Sequence, residues 1–164
     1  MAAAEFPITS ERDALNGFLD LQREALIRKL EGLSDADARK TPTASSLSLL
    51  ALIKHSAIWE RRWFQVILAG REDPGGWPEV HDRTQPDLRV GVDDTLAHWV
   101  PYYREQIAES RAVVTGRDLD ALCASPVVAR RNTRWVVLHM IEETARHAGH
   151  ADIIRETLDG SRGI

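Results

Sequence analysis

The residues best suited to chemistry lie close together near the C-terminal end. The run His139-Met140-Ile141-Glu142-Glu143-Thr144-Ala145-Arg146-His147-Ala148-Gly149-His150-Ala151-Asp152 alternates imidazoles and carboxylates with small or apolar side chains. On a helix, side chains three and four residues apart share a face. At about 100° per residue, taking Glu143 as zero, His147 falls at about +40°, His150 at about −20° and His139 at about −40°. Asp152, Arg155 and Glu156 fall on the opposite side, which is charged and suited to water. The stripe of imidazole and carboxylate therefore points inward, beside Val136 and Ile154.

Such a placement demands compensation, because a buried carboxylate without a partner is strongly destabilised. Protonated imidazole or a cation would supply it. A divalent metal takes nitrogen and oxygen donors together. Glu143 and His147, one turn apart, can converge on one ion, as carboxylate and imidazole ligands do in helical bundle cores. A third ligand has to come from another helix. His55 is the best placed, at the centre of an apolar face between Leu52 and Trp59. Taken alone, a histidine there reads equally as a hydrogen-bonded core residue. Three protein ligands would leave the cation open to water or substrate. A bound thiol would become a thiolate nucleophile, and a bound water would become a hydrolytic one. The spacing does not choose between them.

Around this set stand other candidates. His150 reads as a residue supporting the ligands or facing substrate, with direct ligation as the alternative. His139 reads as a cavity or proton-transfer residue, or as a core residue closing the stripe. Arg134, in the first turn of its helix, opposes the helix dipole there, so a specific contact with an anionic substrate group is expected. Arg62 suits either the cavity mouth or the surface. Trp77 and His81 are candidates for a lid, and His98 reads as helix surface or interface.

Four elements must position these residues. Helical periodicity runs over residues 10–31, 46–69, 93–115 and 133–158, and no segment alternates as a strand does. Ser10 suits the first N-cap, and Gly32 ends that helix. A short helical turn is expected after Ser34, and Thr41-Pro42-Thr43 breaks the chain. The second helix is apolar on two faces, which predicts a central place in a bundle or a subunit interface. Residues 70–92 form a long Gly- and Pro-rich loop, a kind often functional. Asp93 or Asp94 is expected to cap the third helix, and Pro101 to kink it or delay its start. A further short turn is expected at 118–123. The whole predicts one domain, residues 1–164, folded as an all-α four-helix bundle.

Composition agrees. The 164 residues carry a net charge of −4, which leaves no basic footprint for nucleic acid or an anionic membrane. No apolar stretch reaches membrane-spanning length. The one cysteine, Cys123, allows no internal disulfide and reads as a small side chain in a reducing, cytoplasmic setting. The opening MAAAEFPITS has no charged start followed by an apolar run, so no secretory signal is expected.

The pattern Arg134-Trp135, His139-Met140-Ile141, Glu143, His147, Gly149-His150 and Asp152 resembles an uncharacterised branch of the DinB-like superfamily. Ser46-Leu47-Ser48-Leu49-Leu50, Lys54-His55 and Glu60-Arg61-Arg62-Trp63-Phe64 extend the resemblance, which covers residues 10–160 in order. It implies an up-down-down-up bundle with a divalent metal, commonly zinc or nickel, on one histidine of the second helix and two residues of the fourth. Many members use three histidines. Glu143 instead matches the His/Glu/His set of the mycothiol-dependent maleylpyruvate isomerase, whose N-terminal domain this chain resembles; no counterpart of its additional C-terminal domain is expected. His150 stands where many relatives have Gln. The resemblance implies a metal-dependent transferase or isomerase that joins a low-molecular-weight thiol such as mycothiol, bacillithiol or glutathione to a small electrophile. The alternatives are a metal-dependent hydrolase and a non-catalytic dimeric binding or stress-response module with a structural metal. The partners expected are a small-molecule substrate and a second copy of the chain in a homodimer.

Overall fold

A computed structural model describes residues 9–73, 75, 86–128 and 130–162. Helix α1 spans Glu11–Arg28, with the Ser10 hydroxyl accepting from the amide of Asp13. The short α2, Asp35–Ala38, is capped in the same way by Ser34. Helix α3 spans Leu49–Arg61 and continues as a π-helical segment, Arg62–Leu68. Helix α4 spans Leu96–Thr115, and α5 spans Thr133–Asp159. Three-residue 3-10 turns occur at Pro86–Leu88 and Pro126–Val128. Beyond one isolated bridge between Leu122 and Asn132, no strand pairing occurs among the described residues.

Polar contacts between helices fix their directions. Arg134 at the start of α5 bonds Glu11 at the start of α1 (2.6 Å), while Arg155 near its end bonds the Lys29 carbonyl (2.9 Å). The two helices therefore run parallel. Helix α3 opposes α5, because His55 faces His147 while Trp63, further along, faces Trp135. Helix α4 runs with α3: Lys54 pairs with Asp94 (2.8 Å), and Gln65 with Gln106 (2.8 Å). It opposes α1, whose Arg12 caps the end of α4 through the carbonyls of Val114 and Arg117 (2.6 Å each). The course is up-down-down-up.

The two-sided apolar pattern of the second helix is explained by its place at the centre of the bundle. Leu49, Leu50, Ala51, Leu52 and Ile53 are all fully buried, with residues of α1, α4 and α5 in the same core. A second core cluster gathers Leu19, Trp63, Phe64, Ile67, Val114, Val136 and Met140. An ion pair lies inside the bundle. The Arg23 guanidinium chelates Glu60, which has no solvent exposure, and also bonds Asp20 (2.8 Å). Burial pushes the Glu60 carboxyl up, and the adjacent guanidinium opposes that push.

Several boundaries differ from those expected, each for a local reason. Helix α3 starts at Leu49 rather than near residue 46. Thr43 and Ser45 hydroxyls accept from the amides of Ser45 (3.4 Å) and Leu47 (3.3 Å), holding that stretch in turns, and Ser48 takes the cap. Thr95, not Asp93 or Asp94, caps α4. Asp94 is drawn away by Lys54, the Gly91 amide and the Trp99 indole. Pro101 lies inside α4 rather than delaying it. Its missing amide would have met the Ala97 carbonyl, and both residues are exposed, so water can serve that oxygen. Residues 118–123 form no helix; the Asp118 side chain bonds the Asp120 amide (2.7 Å) in a turn instead. The π-helical segment was not anticipated: Ala69 donates to the Phe64 carbonyl, five residues back (3.1 Å). Among the described residues, no helix is long and apolar enough to cross a membrane.

Candidate metal centre

A cavity of about 530 Å³ opens between α3 and α5. Helix α3 supplies His55 and Trp59, α5 supplies His139, Glu143, His147 and His150, and the turn after the long loop supplies Asp87. On α5, the Asn132 side chain accepts from the Trp135 amide (2.9 Å) and Gly160 ends the helix at φ +75°. Between these caps the helix is unbroken, so the sequence spacing sets the face directly.

His55 and His147 meet edge to face, with ring centres 4.8 Å apart. The Nε2 of His147 lies 3.8 Å from a Glu143 carboxylate oxygen. The other Glu143 oxygen accepts from Arg146 (2.6 Å). The three residues expected as ligands are thus brought together at one cavity. Neither ring nitrogen of His147 has a hydrogen-bond partner among the described residues, although both are buried. Buried polar atoms are nearly always satisfied. Burial, reinforced by the nearby His55, His150 and Arg146, pushes the His147 imidazole down to about 3. It is a neutral base with a lone pair free, which is the state a metal requires. The Nδ1 of His150 is likewise buried without a partner, and its ring lies 5.9 Å from that of His147. These orphaned imidazole nitrogens beside a carboxylate fit a divalent cation.

His139 stands at the other end of the cavity. It stacks on Trp135 (4.9 Å between centres) and meets the edge of Trp63 (4.5 Å). Burial holds its imidazole below the ordinary value. Donor atoms of His139, Glu142 and Glu143 lie within 4.8 Å of one another, a second grouping that shares Glu143 with the first. Arg146 bonds both glutamates there (2.6 and 2.7 Å), so a cationic group already occupies them.

Arg134 is not at the cavity. Its guanidinium is engaged by Glu11 (2.6 Å) and by Asp120, which ties α1 and the preceding loop to the start of α5. The specific contact expected from its unfavourable position in the helix dipole exists, but with the protein's own carboxylates. His98 is exposed and stacks against Tyr102. Trp77 and His81 lie outside the described residues. Three cavity residues, Asp87, Arg131 and Trp63, were not among the site candidates of the sequence, although Trp63 belongs to a motif that carries the family resemblance. Asp87 contacts His55 from a loop without periodicity. Arg131 lies over the Trp135 ring (4.5 Å), and Trp63 lies against His139. Only the aromatic content of α3 and α5 hinted at the indole wall.

A family profile described as "MST: Mycothiol-S-transferase" matches residues 14–160. The chain belongs to the mycothiol-S-transferase family. This is a DinB-like family, in agreement with the resemblance carried by the motifs of α3 and α5. Among solved structures, the chain is similar to one titled "Crystal structure of the conserved protein of locus from Enterococcus faecalis". The likeness has a TM-score of 0.65 at 15% identity, covering 93% of this chain and 99% of that one. At that identity it supports the fold alone. No curated protein matches the chain significantly. Members of the mycothiol-S-transferase family are typically metal-dependent, and the grouping of His139, Glu142 and Glu143 is a possible metal site.

Proposed function

We propose that this mycothiol-S-transferase family member is a divalent-metal enzyme that joins a low-molecular-weight thiol, such as mycothiol, to a small electrophile. The observation that carries the reading is His147. It is a neutral imidazole with no hydrogen-bond partner for either nitrogen among the described residues, set against His55 and Glu143 at the wall of a substrate-sized cavity. His55, Glu143 and His147 would hold the cation, with zinc or nickel the expected ions. A cation bound there supplies Lewis acidity, favouring the thiolate over the thiol. The remaining residues prepare the site. Arg146 orients the Glu143 carboxylate, and Trp59, Trp63 and Trp135 form an apolar wall that excludes water and gives the electrophile a surface to lie on. His139, whose imidazole burial holds below its ordinary value, lines the cavity as the candidate proton acceptor. His150 extends the donor set one turn beyond His147.

The alternative location for the metal is the grouping of His139, Glu142 and Glu143, where a cation would have to displace Arg146 from both carboxylates. The proposal predicts that His55→Ala, Glu143→Gln and His147→Ala each weaken metal binding about tenfold or more, while Glu142→Gln retains it. Metal content of the purified protein, followed by competition with a chromogenic chelator, measures this. Conjugation of a thiol to a panel of small electrophiles should then require both metal and thiol. Protein without stoichiometric metal, or conjugation that persists after its removal, would sink the proposal. Ester or amide turnover without thiol would move the assignment to a hydrolase.

A further inference from the structure

Asp87 belongs to none of the long helices. It arrives at the cavity from the 3-10 turn Pro86–Leu88 and is only 5% exposed. One of its oxygens, Oδ2, lies on two donors of α3: the Trp59 indole Nε1–H (2.8 Å) and Nδ1 of His55. These donors are four residues apart and so share a helix face. The chain around Asp87 is also fastened to α3. Lys54, adjacent to His55, donates to the Arg89 carbonyl (3.0 Å) and to Asp94 (2.8 Å). The carboxylate is therefore delivered to the imidazole by a held segment rather than by a free loop.

A carboxylate only accepts hydrogen bonds, so the hydrogen shared with His55 sits on Nδ1. A neutral imidazole has one such hydrogen, which leaves the lone pair on Nε2, in a ring whose centre lies 4.8 Å from that of His147. We propose that Asp87 is a positioning residue. It locks His55 in the Nδ1–H tautomer and in one ring orientation, so that Nε2 alone is offered to a ligand in the cavity. Hydrogen-bonded carboxylates act in this way behind metal-binding histidines in general. The meaning of the lock for metal binding rests on the proposed metal centre, but the lock itself does not.

The test reads both. Ring-nitrogen NMR of the metal-free protein at about pH 8, where imidazole is neutral, reports the His55 tautomer. The native protein should show Nδ1–H. Asp87→Asn, whose amide can both donate and accept, should shift His55 towards Nε2–H and weaken zinc binding about 10- to 100-fold. Trp59→Phe removes the second donor to Asp87 but leaves its charge, and should keep the native tautomer and lose less zinc affinity than Asp87→Asn. The proposal fails if Asp87→Asn keeps both the tautomer and the affinity. It fails equally if Trp59→Phe loses as much as Asp87→Asn, since the role would then be packing of the turn. Should Asp87→Asn not fold, Asp87→Glu takes its place: the carboxylate should preserve Nδ1–H, and its loss would overturn the idea. A native protein that binds no zinc would refute the metal centre while the tautomer still decides the part played by Asp87.

Discussion

His147 is held neutral far below the range in which histidine ordinarily gains a proton, and that has a consequence for the metal-free protein. The unfolded chain binds a proton at His147 near the ordinary value of 6.5, whereas the fold admits it only at about 3. The unfolded state therefore carries more protons between those values, and stability falls as pH falls through that window. Above about pH 6.5 the residue makes no pH-dependent difference, because it is neutral in both states. Urea unfolding of chelator-treated protein should show a loss of stability from about pH 6.5 towards pH 3 that is smaller in His147→Gln. An equal loss in both would assign the effect to other groups. At this scale the sequence was most informative on α5, where an uninterrupted helix converts spacing into direction. Glu143 and His147 could be read for that reason. Asp87 could not, because its contact with His55 spans 32 residues through a loop with no period. Arg134 was legible as a residue needing a partner, but helix geometry says nothing about whether substrate or protein supplies it.

The α3 element carries both the site and the least regular backbone in the bundle. Its periodicity predicted a helix throughout, and the helical course is there, but the last third widens into π geometry. That change follows from longer hydrogen-bonded turns rather than from residue types, so apolar spacing does not reveal it. Arg62 is the first residue of the π-helical segment, and Glu60, two residues earlier, makes the buried pair with Arg23 of α1. Removing one member of such a pair strands the other charge away from water. Arg23→Met is expected to destabilise the protein by about 3–5 kcal/mol, with the larger part of the loss recovered in the double variant Arg23→Met, Glu60→Leu. Equilibrium denaturation of both variants checks this. A single variant of near-native stability would show the pair to be solvated. The N-caps divide in the same way. Ser10 took the cap read for it and the short helix expected after Ser34 is present, while Asp94 lost its expected place to Thr95 because contacts from α3 and α4 claimed its carboxylate.

At the scale of the molecule, four amphipathic stretches established a helical bundle, but nothing in their periods orders them. The superfamily resemblance implied the up-down-down-up course, and long-range ion pairs and hydrogen bonds display it. Two consecutive helices that run in the same direction require a connection travelling back along the bundle. The long stretch between α3 and α4 is that connection, and Asp87 lies on its returning end. The parallel pairing of α1 with α5 has a different outcome. The start of α1 and the end of α5 lie at opposite poles, separated by about 40 Å, the rise of the 27 residues of α5. A circular permutant that joins Asp159 to Glu11 needs about a dozen extended residues to bridge that distance. A bridge of about five should pull one terminal helix off the bundle, and a bridge of about fifteen should leave the fold intact, as circular dichroism and thermal melting would report. Cargo fused to the two poles would likewise be held apart by the length of the barrel of helices, with the cavity between them.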